Sequence, residues 1–441
     1  MRESSPPTSR NSADPWQPEV PWCIAPGMHL PDRFVVCCSR VVTCEAARET
    51  SDNPLGVIRD GAIYVEGGVL ECIGPRALVL QAARGAPVVM DAPGVLTPGL
   101  VDAHTHLAWA GSRHDEYAMR MAGAGYEQIA AAGGGILSTM NAVRAAREQE
   151  LVQETASRLR RVAALGTTTC EIKSGYGLDL PNELKQLQAI DTLSRDRTLP
   201  RLIATYLALH AVPPEGKSDR KAWVARVADQ WVPEVAALKL ARYVDAYIDR
   251  NAFSVEEARL VFARAHELGL GVRAHVGQFS DVGGADLAAD GGAASVDHLE
   301  HVSHDSLVKL SASGTRAVLL PIASYTLRQQ PPPVAAIRAA GVKIVVASDA
   351  NPGTAPTESL PLAMAMAVRD YGLTPEEALL ATTREAAKSL GLEDDCGRLS
   401  PGLDADFVVW DAPHERVLVQ PWGSCLTRLV ASRGNLLHAS G

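Results

Sequence analysis

Eight short apolar runs, each followed by a helical or loop-like stretch, occupy the middle of this chain. They cover residues 94–106, 166–175, 201–210, 243–250, 271–278, 294–301, 316–324 and 342–349. Runs of this length with little polar alternation read as strands buried on both faces, the habit of a parallel sheet. The segments between them carry helix-start chemistry. Ser254 stands three residues before Glu257, a capping box, and Thr374 is followed by Pro375 and acidic residues in the first turn. Strand–helix units in this number, over roughly 300 residues, fit a (β/α)8 barrel. An open doubly wound sheet is the competing arrangement, but no G-x-G-x-x-G run follows the first strand.

The two ends of the 441-residue chain have a different texture. Residues 33–97 hold short strand-like runs with turn signals, among them Gly67–Gly68, which suits a hairpin. The segment after residue 399 repeats that texture, so the two ends can pair. The expected fold is α/β, a TIM-like (β/α)8 barrel over 98–398 with a small composite β-sandwich built from 31–97 and 399–441. Residues 1–30, rich in Pro, Ser and charged residues, read as a disordered arm.

The net charge of −9 argues against nucleic acid or an acidic membrane surface as a partner. No apolar run approaches the ~20 residues of a transmembrane helix. The N-terminus has no apolar segment of the secretory kind. Eight cysteines are scattered with no C-x-x-C pair, which reads as reduced, structural thiols in a cytoplasmic protein.

Barrels of this type do their chemistry at the C-terminal ends of the strands. There the sequence places His104, His106, Lys173, His210, Asp249, His275, His298 and Asp349. Residues i and i+2 share a strand face, so His104 and His106 point the same way, which favours a metal over a satisfied core histidine. His275 and Asp349 are the natural further ligands, and Asp349 is also placed to take a proton from water; a turn cap is its other reading. His298 can bond the attacking water or the oxyanion, or be a core or surface residue. Lys173 is either a carboxylated ligand bridging to a second metal or an ammonium paired with a carboxylate. His301 and His304 read as solvated.

These residues, with HTH ending the first strand, His on the fifth and sixth and SD on the eighth, resemble the amidohydrolase superfamily. Longer motifs resemble one of its families, the imidazolonepropionases of histidine degradation. They are HTHLAWAGSRHDEYAMRMAGAGYEQIAAAGGGILST, EIKSGYGLDL, LHAVPPE, GGADLAADGGAASVDHLEH and SDANPGTAPTES. The likeness runs from about residue 33 to 412. It implies hydrolysis of 4-imidazolone-5-propanoate to N-formimidoyl-L-glutamate, and one Zn or Fe ion per subunit on His104, His106, His275 and Asp349. It further implies that Arg113 holds the substrate's propionate carboxylate, that Tyr126 and Tyr176 line the pocket and that His210 bonds the substrate. Asn351, Gly353 and Thr354 would add polar and backbone contacts, and the assembly would be a homodimer. A guanidinium fork suits a carboxylate, and Gly353 permits close approach. Asp349 and His298 would be the catalytic pair.

One departure stands out. The family typically reads HADE or HADQ after the fifth strand, and here residues 275–278 read HVGQ. Gln278 cannot act as acid or base, although it can bond the ring. The proton work therefore falls on Asp349 and His298. Competing expectations are a related amidohydrolase acting on another five-membered ring with a propionate arm, such as a hydantoin, and an aminohydrolase that deaminates a heterocycle. A non-catalytic relative would lack ligands, whereas all four are present. Gly133 to Gly135 suit either a gating loop or plain turns.

Overall fold

The computed structural model describes residues 29–124, 128 and 133–440. The expected N-terminal arm, up to residue 28, and Tyr126 lie outside the described residues.

Strands β1 (Arg33–Val42), β2 (Val57–Glu66), β3 (Val69–Pro75) and β4 (Val88–Pro98) come first. Strands β5 (Leu100–Asp102), β6 (Thr167–Lys173), β7 (Arg201–Leu209), β8 (Tyr243–Ile248), β9 (Gly271–Val276), β10 (Ser295–His298), β11 (Arg316–Leu319) and β12 (Ile344–Val346) follow, with helices between them. The chain returns through β13 (Phe407–Trp410), β14 (Thr427–Ser432) and β15 (Asn435–Ala439).

The ends do pair. One seven-stranded sheet runs β15-β14-β13-β4-β1-β2-β3, with β4 parallel to β1 and antiparallel to β13. Phe34, Ile63, Leu96, Phe407 and Leu429 fill one face, and Val35, Tyr64 and Val79 pack on the other. Gly67 and Gly68 turn β2 into β3 with φ of 59° and 81°, a backbone that side-chain-bearing residues resist.

The eight middle strands form one parallel sheet in chain order, β5 to β12. Its two edges meet through a parallel bridge between Thr105 and Ala350, so the barrel closes just beyond the strand ends that carry His104 and Asp349. There the His106 N–H donates to the Ala350 carbonyl (3.0 Å) and the Asp349 N–H to the His104 carbonyl (3.1 Å). Both expected helix starts form, with reciprocal bonds between Ser254 and Glu257 and between Thr374 and Glu377.

Two expected strands need correction. The run 94–106 is not one strand: its first part ends β4 in the small sheet, and Gly99 hands the chain to β5 in the barrel. A Cβ on Gly99 would stand 2.7 Å from Cβ of Thr168, so only glycine passes β6 at that point. The run 316–324 is strand only to Leu319, because Pro321 opens a helix, Pro321–Leu327.

Among the described residues, no helix is long and apolar enough to cross a membrane. Cys37, Cys38, Cys44, Cys170 and Cys396 are buried free thiols, and Cys425 is an exposed one.

Candidate active site

The first strand's alternation delivers its two imidazoles together. Nε2 of His104 and Nε2 of His106 are 3.3 Å apart, and Oδ1 of Asp349 lies 3.4 Å from each. His275, the penultimate residue of β9, joins them: one ring nitrogen from each of His104, His106 and His275 falls within 4.8 Å of the others. All three histidines and Asp349 are buried. Nε2 of His275 is buried without a hydrogen-bond partner among the described residues. An orphaned imidazole nitrogen aimed at a cluster of nitrogens and a carboxylate fits a cation in their midst. Burial, aided by repulsion from Lys173 and neighbouring imidazoles, holds the His104 pKa well below the ordinary value; burial with His210 and His275 does the same to His106. Both rings are therefore neutral near pH 7, the form that ligates a metal. Burial pushes the Asp349 carboxyl up to about 7, a cost that a neighbouring cation would relieve.

Carboxylates set the ring tautomers. Nδ1 of His104 meets Oδ2 of Asp297 at 2.7 Å, and Nδ1 of His275 meets Oδ1 of Asp245 at 3.1 Å. Each pairing turns Nε2 toward the cluster. The strand register explains the levels: Asp297 is the Cα partner of His275, and Asp245 lies two residues below Tyr247, which is also opposite His275. Lys173 is an ammonium. Its Nζ donates to Glu171 and Asp245, each at 2.8 Å, and those carboxylates with Asp297 keep it charged despite complete burial. Of the two expected readings, these contacts suit the ammonium.

His298 lines the same cavity, its ring centroid 5.6 Å from that of His275. Burial holds it neutral, so it keeps one N–H to donate. His298 and Asp349 both have left-handed backbones, φ 84° and 54°. Such conformations cost a non-glycine residue on the order of 1–3 kcal/mol and persist only where the surroundings impose them.

The cavity holds about 720 Å³, a size suited to a small metabolite. His106, Tyr176, His210, Gln278 and Asp349 line its inner part. His210 stacks at 5.5 Å on His106, and burial lowers its pKa to about 4; its Nδ1 is 2.7 Å from the Gly175 carbonyl. Tyr176 is buried with its ring 5.9 Å from His106. Oε1 of Gln278 accepts from the Tyr247 hydroxyl at 2.8 Å.

Arg113, Arg120 and Gly353 line the outer end of the same cavity. Arg113 donates from Nε to Glu116 at 2.8 Å and from Nη2 to the same carboxylate; Nη1 has no hydrogen-bond partner among the described residues. Glu116 also accepts from Arg120 (2.8 Å) and from the Gly135 N–H (2.7 Å). Gly353 is wedged against Arg113, since a Cβ there would stand 2.9 Å from Cζ and closer still to Nη1, while its carbonyl accepts from Arg120 at 3.1 Å. Its close approach is thus to the guanidinium. The Asn351 amide is spent on its own turn: Oδ1 accepts from the N–H groups of Gly353 (2.8 Å) and Thr354 (2.7 Å), and Nδ2 donates to the Asp349 carbonyl at 2.6 Å. It shapes the loop that carries Asp349, with Thr354 beside it in the cavity wall.

Asp249 is not drawn into the cluster. It accepts from Phe279 N (2.9 Å), Ser280 N (3.2 Å) and the Ser280 hydroxyl (2.7 Å), bracing the loop after β9. His301 and His304 are exposed, as expected. Sequence reasoning missed Asp245, Asp297 and Glu116. Buried-strand aspartates in YVDAYIDR and SVDHLEH were the available signal for two of them, because an ionised side chain inside an apolar strand needs a partner.

Residues 95–435 match the amidohydrolase family model. An imidazolonepropionase of Mesorhizobium japonicum is 46% identical over 371 residues, covering 84% of this chain and 90% of that protein. One of Shewanella piezotolerans is 44% identical over 390 residues, covering 88% and 95%. Among solved structures, a triazine hydrolase variant superposes with a TM-score of 0.72 at 15% identity, covering 93% and 95% of the two chains. The guanine deaminase of E. coli gives 0.70 at 17%, covering 93% and 100%. These two likenesses speak to the fold; the sequence matches speak to the family. The chain belongs to the imidazolonepropionase family of amidohydrolases, hydrolases of cyclic amide C–N bonds.

Proposed function

We propose that this chain hydrolyses the ring amide of 4-imidazolone-5-propanoate to N-formimidoyl-L-glutamate, with one Zn or Fe ion held by His104, His106, His275 and Asp349. The observation that carries the reading is one cavity lined both by members of the imidazole and carboxylate cluster and by the guanidinium-bearing Arg113. A substrate that fills it has a hydrolysable carbonyl at one end and a carboxylate at the other.

When bound, the ion acidifies water and polarises a carbonyl. Arg113 receives the propionate through Nη1, its other nitrogens clamped by Glu116. Tyr176, His210 and Gln278 hold the ring and exclude water from its faces. Asp349 accepts the proton that leaves the attacking water and returns it to the ring nitrogen as the C–N bond breaks. His298 donates its N–H to the oxygen on which negative charge develops. One water is consumed, the acyl carbon gains a hydroxyl, and the nitrogen leaves protonated.

The test is turnover of freshly generated 4-imidazolone-5-propanoate by metal-loaded protein, read as N-formimidoyl-glutamate, with a chelator-treated control. Chelator-sensitive product is expected. No product from correctly metallated protein would refute the assignment, and a hydantoin-type propionate run in parallel identifies a different ring. The same reading has the protein work in the cytoplasm, where its thiols stay reduced, as a homodimer. Light scattering that gives the monomer mass at working concentration would refute the assembly.

A further inference from the structure

Next to the candidate ligands the barrel buries a cluster of charged side chains. Lys173 Nζ lies 2.8 Å from Glu171, 2.8 Å from Asp245 and 3.8 Å from Asp297, and all four side chains are fully buried. Arg273 stands 4.0 Å from the far oxygen of Asp297. Asp245, His275 and Asp297 present ligand atoms within 4.8 Å of one another, the spacing of a metal-holding group in its own right. The first group, His104 with His106 and His275, shares His275 with it. The fold thus sets two donor groups side by side, and the second already has a cation bonded to Asp245 and within 3.8 Å of Asp297.

We propose that Lys173 is that group's resident cation, standing where a second metal ion would otherwise be held, and that it keeps this a one-metal centre. Three buried carboxylates demand positive charge, because unpaired ions in a dry interior are costly. An ammonium offers three donors on a flexible stem and matches oxygens at hydrogen-bond distance. A divalent metal at the same point would draw those oxygens to roughly 2.0–2.2 Å. That contraction would compete with the bonds by which Asp297 holds His104 and Asp245 holds His275. With the lysine in place, both aspartates stay available to the histidines.

This inference rests on the proposed assignment of the first ion to His104, His106, His275 and Asp349. The experiment takes the full chain and its Lys173→Ala variant, strips each with chelator, titrates with Zn²⁺ and counts bound zinc by mass spectrometry after desalting. The expected result is one tightly held ion per wild-type chain and two per variant chain. One ion in both, or two in the wild type, would overturn the inference and leave the first site standing. A wild-type chain that holds none would overturn the first site and this inference together. Should metal-free Lys173→Ala fail to fold, its thermal unfolding is followed during the Zn²⁺ titration. Recovery of the folded state that saturates at two equivalents is expected. Saturation at one equivalent, or no recovery, would show that no metal takes the place of the ammonium.

Discussion

Gly353→Ala separates the proposed role of Arg113 in binding the carboxylate from the proposed chemistry at the imidazole cluster. Gly353 is outside the left-handed backbone region, so alanine suits its conformation. The added methyl group has no room, because it would stand 2.9 Å from Cζ of Arg113 and nearer to Nη1. Glu116 holds the other two nitrogens, so the guanidinium cannot simply swing aside; it must shift as a unit by something on the order of 0.5–1 Å. A hydrogen bond to a charged group contributes about 1.5–3 kcal/mol, and a displacement of that size forfeits most of it. At about 1.4 kcal/mol per tenfold, KM for the carboxylated substrate should rise about 10- to 150-fold. The cluster of His104, His106, His275 and Asp349 is untouched, so kcat should change by less than about threefold. Steady-state kinetics on the imidazolone propionate read both constants. A ring amide lacking the propionate carboxylate provides the control, and wild type and variant should turn it over at equal kcat/KM. An unchanged KM for the propionate, or a loss confined to kcat, would refute the placement of Arg113 against the carboxylate.

Further expectations follow from the same geometry. Asp349→Asn should lower kcat by more than about 10³-fold with a circular dichroism spectrum like that of the wild type; near-normal turnover would remove it as the proton acceptor. Gln278→Ala should cost no more than about tenfold in kcat/KM, because its amide only bonds; a loss as large as that of Asp349→Asn would contradict this. Chelation should abolish turnover and lower unfolding stability by about 2.7 kcal/mol relative to protein at a hundredfold excess of metal over its Kd, and superimposable urea curves would count against a resident ion. Burial raises the Glu300 pKa from 4.5 to about 7, so the folded state keeps a proton that the unfolded state releases as pH rises through 4.5. Its contribution to stability is therefore full below about pH 4.5 and lost as pH rises to about 7, on the order of 3 kcal/mol. Glu300→Gln should flatten that part of the stability profile in urea unfolding at pH 5 and 7.5, and parallel profiles would refute it.

The parts of the site that sequence reveals are those that obey the period of a strand. His104 and His106 share a face because they are two apart, and their Nε2 atoms meet at 3.3 Å. Asp297 and His298 are adjacent, so alternation places them on opposite faces. Yet Asp297 bonds His104 and His298 lines the cavity, because φ of 84° at His298 turns the chain back. Ser348 and Asp349 repeat the pattern: Ser348 donates to Asp102 at 2.5 Å, while φ of 54° brings Asp349 to the imidazoles. Strained backbone of this kind leaves no mark in hydrophobic periodicity. The passage from β4 to β5 is hidden for another reason, since both sides of Gly99 are apolar and buried and only a contact with Thr168 separates the two sheets.

The departure at residues 275–278 has a backbone cause that bears on the chemistry. Gly277 has φ of 67°, and a Cβ there would run into the His301 carbonyl, whose carbon would be 3.1 Å away. Its own carbonyl accepts the His301 N–H at 2.7 Å, so the turns after β9 and β10 are tied together through a residue that has to be glycine. The tied loop presents Gln278, with Oε1 engaged by Tyr247 and an amide N–H₂ that can only donate. The corner beside His275 therefore offers a donor and no base. Deaminating a heterocycle requires a proton on a ring nitrogen and another on the departing amine, which asks for two proton-transfer groups or one that works twice from that corner. Opening a lactam requires one proton, taken from water and returned to the nitrogen that leaves. A single carboxylate suffices for that exchange, the role proposed for Asp349, and the neutral amide at 278 favours ring opening over deamination for this chain.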